Sequence, residues 1–174
     1  MTVRPLSSSS PEHVEATDFL HYEAELLDRL AEREWLDEMV SKDIVYQVPV
    51  RQTVERARGN GVVEGIYHLN EDFGSLAAKV SRNETAFAWA EDPPSRVRHF
   101  ITNIRARPGA DDDLLEVRSS ILLYRTRQDQ THPQLLGGER FDTLRREDGR
   151  LRLLHRWVLL DLTVIGTHNL SIFF

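Results

Sequence analysis

The chain has 174 residues, no cysteine and a formal net charge of −6, a length that suits one domain with its own core and no need of a disulfide. Without a thiol it offers no cysteine nucleophile, no zinc finger and no complete ligand set for an iron–sulfur cluster, since even the mixed His/Cys type takes two cysteines. The acidic balance opposes general nucleic-acid binding, 29% charged and 40% apolar residues describe a globular chain, and no apolar run approaches the roughly 20 residues of a membrane span.

Residues 1–10, ending in Ser7–Ser10, read as a flexible arm, and 11–174 as a single domain. The arm has one arginine and no apolar stretch, which argues against a signal peptide and makes the cytoplasm the expected address. Ser10-Pro11 is a helix start, with serine as cap and proline in the first turn. Phe19, Tyr22, Leu26 and Leu30 recur at helical spacing, while Glu23, Glu25, Asp28 and Arg29 fill the other face. The register slips near Glu32–Glu34, and Trp35, Leu36, Met39 and Val40 form a second stripe. The pattern predicts a long helix, a bend and a short helix ending near Ser41.

From Asp43 to Arg51 apolar residues alternate, with Ile44, Tyr46, Val48 and Val50 on one face. That is a strand, and Pro49 places that end at a sheet edge. Val54–Gly65 reads as a loop. Asn70 is positioned to cap a helix bearing Phe73, Leu76, Ala77 and Val80. Four strand-like runs follow, Arg96–Arg107, Leu114–Arg127, Leu135–Arg146 and Leu151–Val164. Short turns separate them, among them Asp148-Gly149, and predict an antiparallel meander. Helices first and strands afterwards give an α+β architecture, with helices on one face of a curved, mainly antiparallel sheet.

Gly59, Gly61 and Gly65 do not make a dinucleotide loop. Their spacing is one residue too long, and no strand runs through them into a helix. His13 and Glu15, like His21 and Glu23, stand two apart on a helix and do not face one another. His99, His132, His155 and His168 show no ligand spacing, so no metal site is indicated. Ser75 lacks the second glycine of a nucleophile elbow. Asp92, His99, His155 and Asp161 are available as general bases in a cone-shaped fold, and strand alternation turns Asp161 the way of Trp157 and Leu159. No spacing among them specifies an acid–base pair. Trp89, Asp92, Arg96, Arg98 and His99 lie around the rigid Pro93-Pro94, and are candidates for a subunit interface, because tryptophan and arginine are anchor types.

The run from Trp89 through Ala-Glu-Asp-Pro-Pro-Ser-Arg-Val-Arg to His99, with Asn103 after it, resembles the small (β) subunit of Rieske-type aromatic-ring-hydroxylating dioxygenases. Phe19–Asp28, Glu34–Leu36, Val48–Arg51, Glu116–Ser120, Leu123–Arg125, Leu159–Asp161 and His168–Phe174 agree in the same order, so the likeness spans about Phe19 to Phe174. The wording is similar to the biphenyl, cumene and naphthalene group. The resemblance implies a nuclear-transport-factor-2-like α+β cone and a structural, non-catalytic role. It implies as partner a large α subunit carrying a Rieske [2Fe–2S] cluster and mononuclear Fe(II), in an α3β3 assembly with a trimer of small subunits. The reaction implied is cis-dihydroxylation of an aromatic ring with O2 and electrons from NADH, delivered by a reductase and usually a ferredoxin. No catalytic, cofactor or metal residue is then expected on this chain, and neither nucleic acid nor membrane is an expected partner. The rivals are a stand-alone isomerase or dehydratase of the same cone fold, and a non-catalytic oligomerisation module. The loops Gln52–Tyr67 and Gln130–Gly138 have no counterpart in the resemblance.

Overall fold

The computed structural model describes residues 4–84, 93–166 and 171–174. The Ser10 side chain accepts from the His13 N–H and starts α1, Pro11–Asp28. Leu30, in the left-handed region at φ 59°, turns the chain into α2, Glu32–Met39. β1 (Val40–Arg51) follows without a break, then a single 3-10 turn at Arg56–Arg58 and β2 (Val62–Glu71). α3 (Phe73–Asn83) leads to β3 (Arg96–Pro108), β4 (Leu114–Thr126), β5 (Gln134–Glu147) and β6 (Arg150–Leu160).

The six strands form one sheet in the order β2-β1-β6-β5-β4-β3. β3 to β6 make the expected antiparallel meander, while β1 joins β6 in parallel, and β2 pairs antiparallel outside β1. Register shifts at Val48/Pro49, Thr102/Arg105 and Thr143/Leu144 mark bulges that increase twist and bend the sheet. Asn103 takes up the β3 bulge at φ 54°, in the region asparagine tolerates better than most side chains. The β5–β6 turn is Asp148-Gly149 with both residues at positive φ, the geometry this dipeptide favours in a hairpin. The helices cover the sheet's inner face, and the core lies between them, from Leu20, Leu26, Trp35 and Leu36 to Val48, Leu123, Leu144 and Val158.

Several sequence expectations are corrected. α1 turns His13, Ala16, Leu20, Glu23 and Leu26 inward, and Tyr22 and Leu30 are exposed. Glu23 was expected on the solvated face, but charged groups of the sheet reach in to meet it. Pro49 is not at an edge, because β2 lies outside β1. Its missing N–H is accommodated where the β1–β2 register breaks. The expected loop to Gly65 ends earlier, in strand β2, which the sequence reading missed. β2 is an edge strand without deeply buried positions, so it shows no clear apolar alternation. The cap of α3 is Asp72, not Asn70. Asp72 accepts from the Ser75 N–H and the Ser75 hydroxyl accepts from the Asp72 N–H. Ser75 is therefore occupied in a capping box. β6 stops at Leu160 rather than Val164.

Two adjacent glycines of β5 make a test of this packing. A Cβ on Gly138 would stand 2.5 Å from the Leu159 carbonyl oxygen, whereas one on Gly137 would meet only the Asp161 side chain at 3.7 Å. Gly138→Ala should lower the urea unfolding midpoint clearly, because the β6 backbone has to shift, while Gly137→Ala should leave it nearly unchanged.

Candidate functional site

The inner face of the sheet places charges where apolar residues would be expected. Arg140 and Asp142 point inward from β5, Arg156 points inward from β6, and Glu23 meets them from α1. All four are at most 1% exposed. Arg156 forms a fork to Asp142, with Nε and Nη2 at 2.8 Å from its two oxygens. Its Nη1 and Nη2 also reach the two oxygens of Glu23 at 2.9 and 2.8 Å. Arg140 donates to Glu23 from Nη1 at 3.2 Å and to the Ser119 hydroxyl from Nε at 3.2 Å. The Trp35 indole N–H donates to Glu23 at 3.0 Å. Among the described residues, Arg140 Nη2 alone of this cluster's side-chain atoms is buried without an acceptor.

Two cations thus balance two anions inside the protein. Burial alone would push the Glu23 carboxyl up, but Arg156 and Arg140, with hydrogen bonds from Arg156 and Trp35, hold it below its ordinary value of 4.5. Burial would lower Arg156, yet Asp142 and Glu23 raise it well above the usual range. Burial and the neighbouring Arg156 lower Arg140, against the pull of Asp142 and Glu23. Burial pushes the Tyr46 hydroxyl up to about 12. Both carboxylates are fully engaged and shut off from solvent, which suits a buried ionic core rather than an exchanging acid or base.

Residues 171–174 lie buried in the same space. Ile172, Phe173 and Phe174 are 7%, 2% and 0% exposed. The Phe174 main-chain oxygen accepts from Arg156 Nη1 at 2.6 Å and from the Tyr46 hydroxyl at 3.1 Å.

The proposed bases do not converge. The His99 ring is buried, with Nδ1 at 2.7 Å from Asp28 Oδ1 and Nε2 at 3.0 Å from the Phe173 carbonyl oxygen. His155 lies half-buried opposite Thr143 and Val45. Asp161 is exposed just beyond the end of β6, where it pairs with Arg51 at 3.3 Å and lies beside Gly137 of β5. Asp92 lies outside the described residues, as do Trp89 and His168. Of the interface candidates, Arg98 is exposed and pairs with Asp28 at 3.4 Å, and Arg96 is exposed with its guanidinium 3.5 Å from the Gln128 carbonyl oxygen. Arg98 and His99 therefore take opposite faces of β3. Asp28 holds both, and also accepts the His99 main-chain N–H at 3.0 Å, covering part of that open sheet edge.

The outer face of the sheet carries an apolar patch that the sequence reading did not assemble. Phe100 stands opposite Leu122, and Tyr124 opposite Leu135. All four are at least 36% exposed. Among the described residues no group of three or more His, Cys, Asp or Glu is arranged to hold a metal ion. With no cysteine in the chain, its residues do not fit a Rieske cluster.

A curved sheet covered on its inner face by helices, with a charged cluster in its interior, is the α+β cone of the nuclear-transport-factor-2-like proteins. The ring hydroxylating beta subunit family matches residues 22–167, and the chain belongs to that family. It is a structural β subunit of an aromatic-ring-hydroxylating dioxygenase, an oxidoreductase complex. Among solved structures, a chain of naphthalene 1,2-dioxygenase with indole bound in its active site is 33% identical, with TM-score 0.83 over 92% of this chain and 84% of that one. The benzoate 1,2-dioxygenase β subunit of Burkholderia mallei shares the fold at 22% identity, with TM-score 0.68 over 90% and 93% of the two chains. ActVI-ORFA of Streptomyces coelicolor shares the fold at 15% identity, with TM-score 0.62 over 87% and 98%.

Two measurements test the interior. Glu23→Gln should destabilise the fold by about 3–5 kcal/mol in denaturant titrations, since it leaves two arginines buried beside a neutral group. A carboxyl lowered on folding contributes stability that is complete above its unfolded value near 4.5 and is lost as pH falls through the folded one. The variant should therefore show a flatter loss of stability below pH 4.5 than the parent. In ultraviolet titration of the four tyrosines, the last component should appear near pH 12 and vanish in Tyr46→Phe.

Proposed function

We propose that this β subunit supports a large α subunit in an α3β3 assembly, and that the α subunit holds the Rieske [2Fe–2S] cluster and the mononuclear Fe(II). The reaction of the whole complex is cis-dihydroxylation of an aromatic hydrocarbon. Both atoms of O2 enter the ring, and NADH supplies two electrons through a reductase and a ferredoxin. The observation that carries this reading is the 33% identity along 92% of the chain with a naphthalene 1,2-dioxygenase chain. The lack of cysteine supports placing the cluster on another chain. In this reading no cofactor sits on the β subunit, and the cytoplasm, where NADH is made, is its compartment. No described helix is long and apolar enough to cross a membrane.

The outer sheet patch of Phe100, Leu122, Tyr124 and Leu135, next to Arg96 and Arg98, supports a contact between subunits on this side. It combines apolar and aromatic area with arginine, the composition of interface cores. We assign Trp89, Asp92, Arg96 and Arg98 to contacts between subunits, and His99 to holding β3 against α1 through Asp28.

Two outcomes are expected. The purified chain should be free of iron and should self-associate, running in light scattering at about three times its 20.1 kDa. Stoichiometric iron, or a monomer at every concentration, would contradict the reading. Arg96→Ala should leave the thermal midpoint of the chain nearly unchanged yet reduce the fraction that co-purifies with the α subunit. Unchanged recovery of the complex would remove Arg96 from the interface.

A further inference from the structure

The two ends of the β3–β4 strand pair carry opposite charge. At one end Arg96 begins β3 opposite Thr126 of β4, and a groove of about 690 Å³ opens there. Arg29, Arg96 and Arg98 line it, together with Leu30, Pro94 and Tyr124. Arg29 is held by Glu25 at 3.0 Å and Arg98 by Asp28 at 3.4 Å. Among the described residues Arg96 meets no carboxylate, only the Gln128 carbonyl oxygen at 3.5 Å. The other end is the β3–β4 turn, about 40 Å away at the rise of a 13-residue strand. It carries Asp111, Asp112 and Asp113 in succession, all exposed, and they share a hollow with Glu12, Leu6 and Leu114. Main-chain bonds fix this turn: Leu114 N–H to the Asp111 oxygen at 3.0 Å, Gly109 N–H to the Leu114 oxygen at 2.9 Å, and Arg146 N–H to the Asp113 oxygen at 2.8 Å. Among the described residues none of the three aspartates is in an ion pair, and the neighbouring Arg146 is taken by Glu15 at 2.6 Å.

Copies of a chain with net charge −6 repel one another unless cations are gathered where the anions of the next copy arrive. Segregating the two signs along one strand pair does this. Basic end against basic end, or acidic against acidic, is repelled, so neither end suits a contact with itself. Basic end against acidic end is attractive, and it joins two different surfaces. A contact of that kind is passed from copy to copy and closes as a ring. Arginine beside a tyrosine and apolar area is also the composition of interface cores.

We propose that the β3–β4 pair is a head-to-tail joint between copies of this chain, in which the groove around Arg96 receives the Asp111–Asp113 turn of a second copy. Each copy gives one end and takes the other, so three copies close with every joint used. The aspartates arrive on a turn already held by its own main chain, which lowers the ordering cost of association. This joint rests on the trimer proposed above and names which surfaces meet in it.

The test follows the mass of the full-length chain by light scattering over a dilution series, with circular dichroism to confirm folding. Arg96→Glu alone and Asp112→Arg alone should each raise the concentration at which the trimer half-dissociates by about tenfold or more, since each sets like charges against one another. Both substitutions in one chain should bring it back close to the parent's value, because the pair is restored with its signs exchanged. Raising salt from about 0.1 M to about 1 M should weaken the parent's trimer and change the single variants less, as screening shortens from about 10 to about 3 Å. Where a reversal does not fold, Arg96→Gln and Asp112→Asn remove the same charges and should shift dissociation in the same direction by a smaller factor. A trimeric parent whose single variants keep its mass overturns the joint and leaves the trimer standing. Single variants that dissociate without recovery in the combined chain also overturn it. Arg96→Glu protein that stays trimeric but no longer co-purifies with the α subunit gives the groove to that subunit, and overturns the joint as well. A parent that is monomeric at every concentration removes the trimer and the joint together.

Discussion

Glu23 is a carboxylate inside a protein, and that placement is tolerable only because two guanidiniums and an indole N–H meet it there. Taking an ion from water costs several kcal/mol even after relaxation, so each partner has to be held in good geometry. Arg156 does most of this, spanning Glu23 and Asp142 with all three of its nitrogens. Because Glu23 is on α1, Arg140 and Asp142 on β5 and Arg156 on β6, the cluster fixes how the long helix crosses the sheet. An apolar interior of the same volume would tolerate a sliding helix, whereas a forked ion pair does not.

The same arginine extends this constraint to the end of the chain. Arg156 Nη1 binds the Phe174 oxygen, Tyr46 grips both main-chain groups of Phe174, and His99 holds Phe173. His99 in turn is tied to Asp28 at the C-terminal end of α1. Helix, sheet and tail are therefore closed on one another by hydrogen bonds whose partners are distant in sequence. The outer face of the sheet is a separate surface, turned away from this ionic cluster. There Phe100, Leu122, Tyr124 and Leu135 are exposed beside arginines. A buried ionic cluster with both carboxylates engaged, and an apolar outer face, suit a supporting subunit.

Much of this fold was legible in the sequence, and the parts that were not share a cause. The two N-terminal helices, the bend between them and the meander of four strands follow from local periodicity and turn residues, which act over a few positions. β2 and the parallel pairing of β1 with β6 depend on partners far along the chain. Glu23 looked like one of a row of surface charges because helical spacing alone cannot say that Arg140 and Arg156 will arrive from the sheet. A signal did exist. Arg140 and Asp142 share the strand parity of Leu144, and Arg156 that of Val158 and Leu160, so these charges stand at inward positions. Reading parity through the charged residues, rather than only through the apolar ones, would have placed them inside. The specific run Trp89–His99 carried the family resemblance, yet the ionic interior lies in residues that the run does not contain.

The most direct test of this account is turnover per assembled complex. Glu23→Gln protein would be combined with the α subunit, and aromatic-ring dihydroxylation measured against the amount of intact complex recovered. The account predicts that activity falls only as far as assembly does, so that turnover per complex equals the parent's. A complex recovered in full, with its iron in place but with turnover largely lost, would contradict it and give the buried carboxylate a part in the reaction.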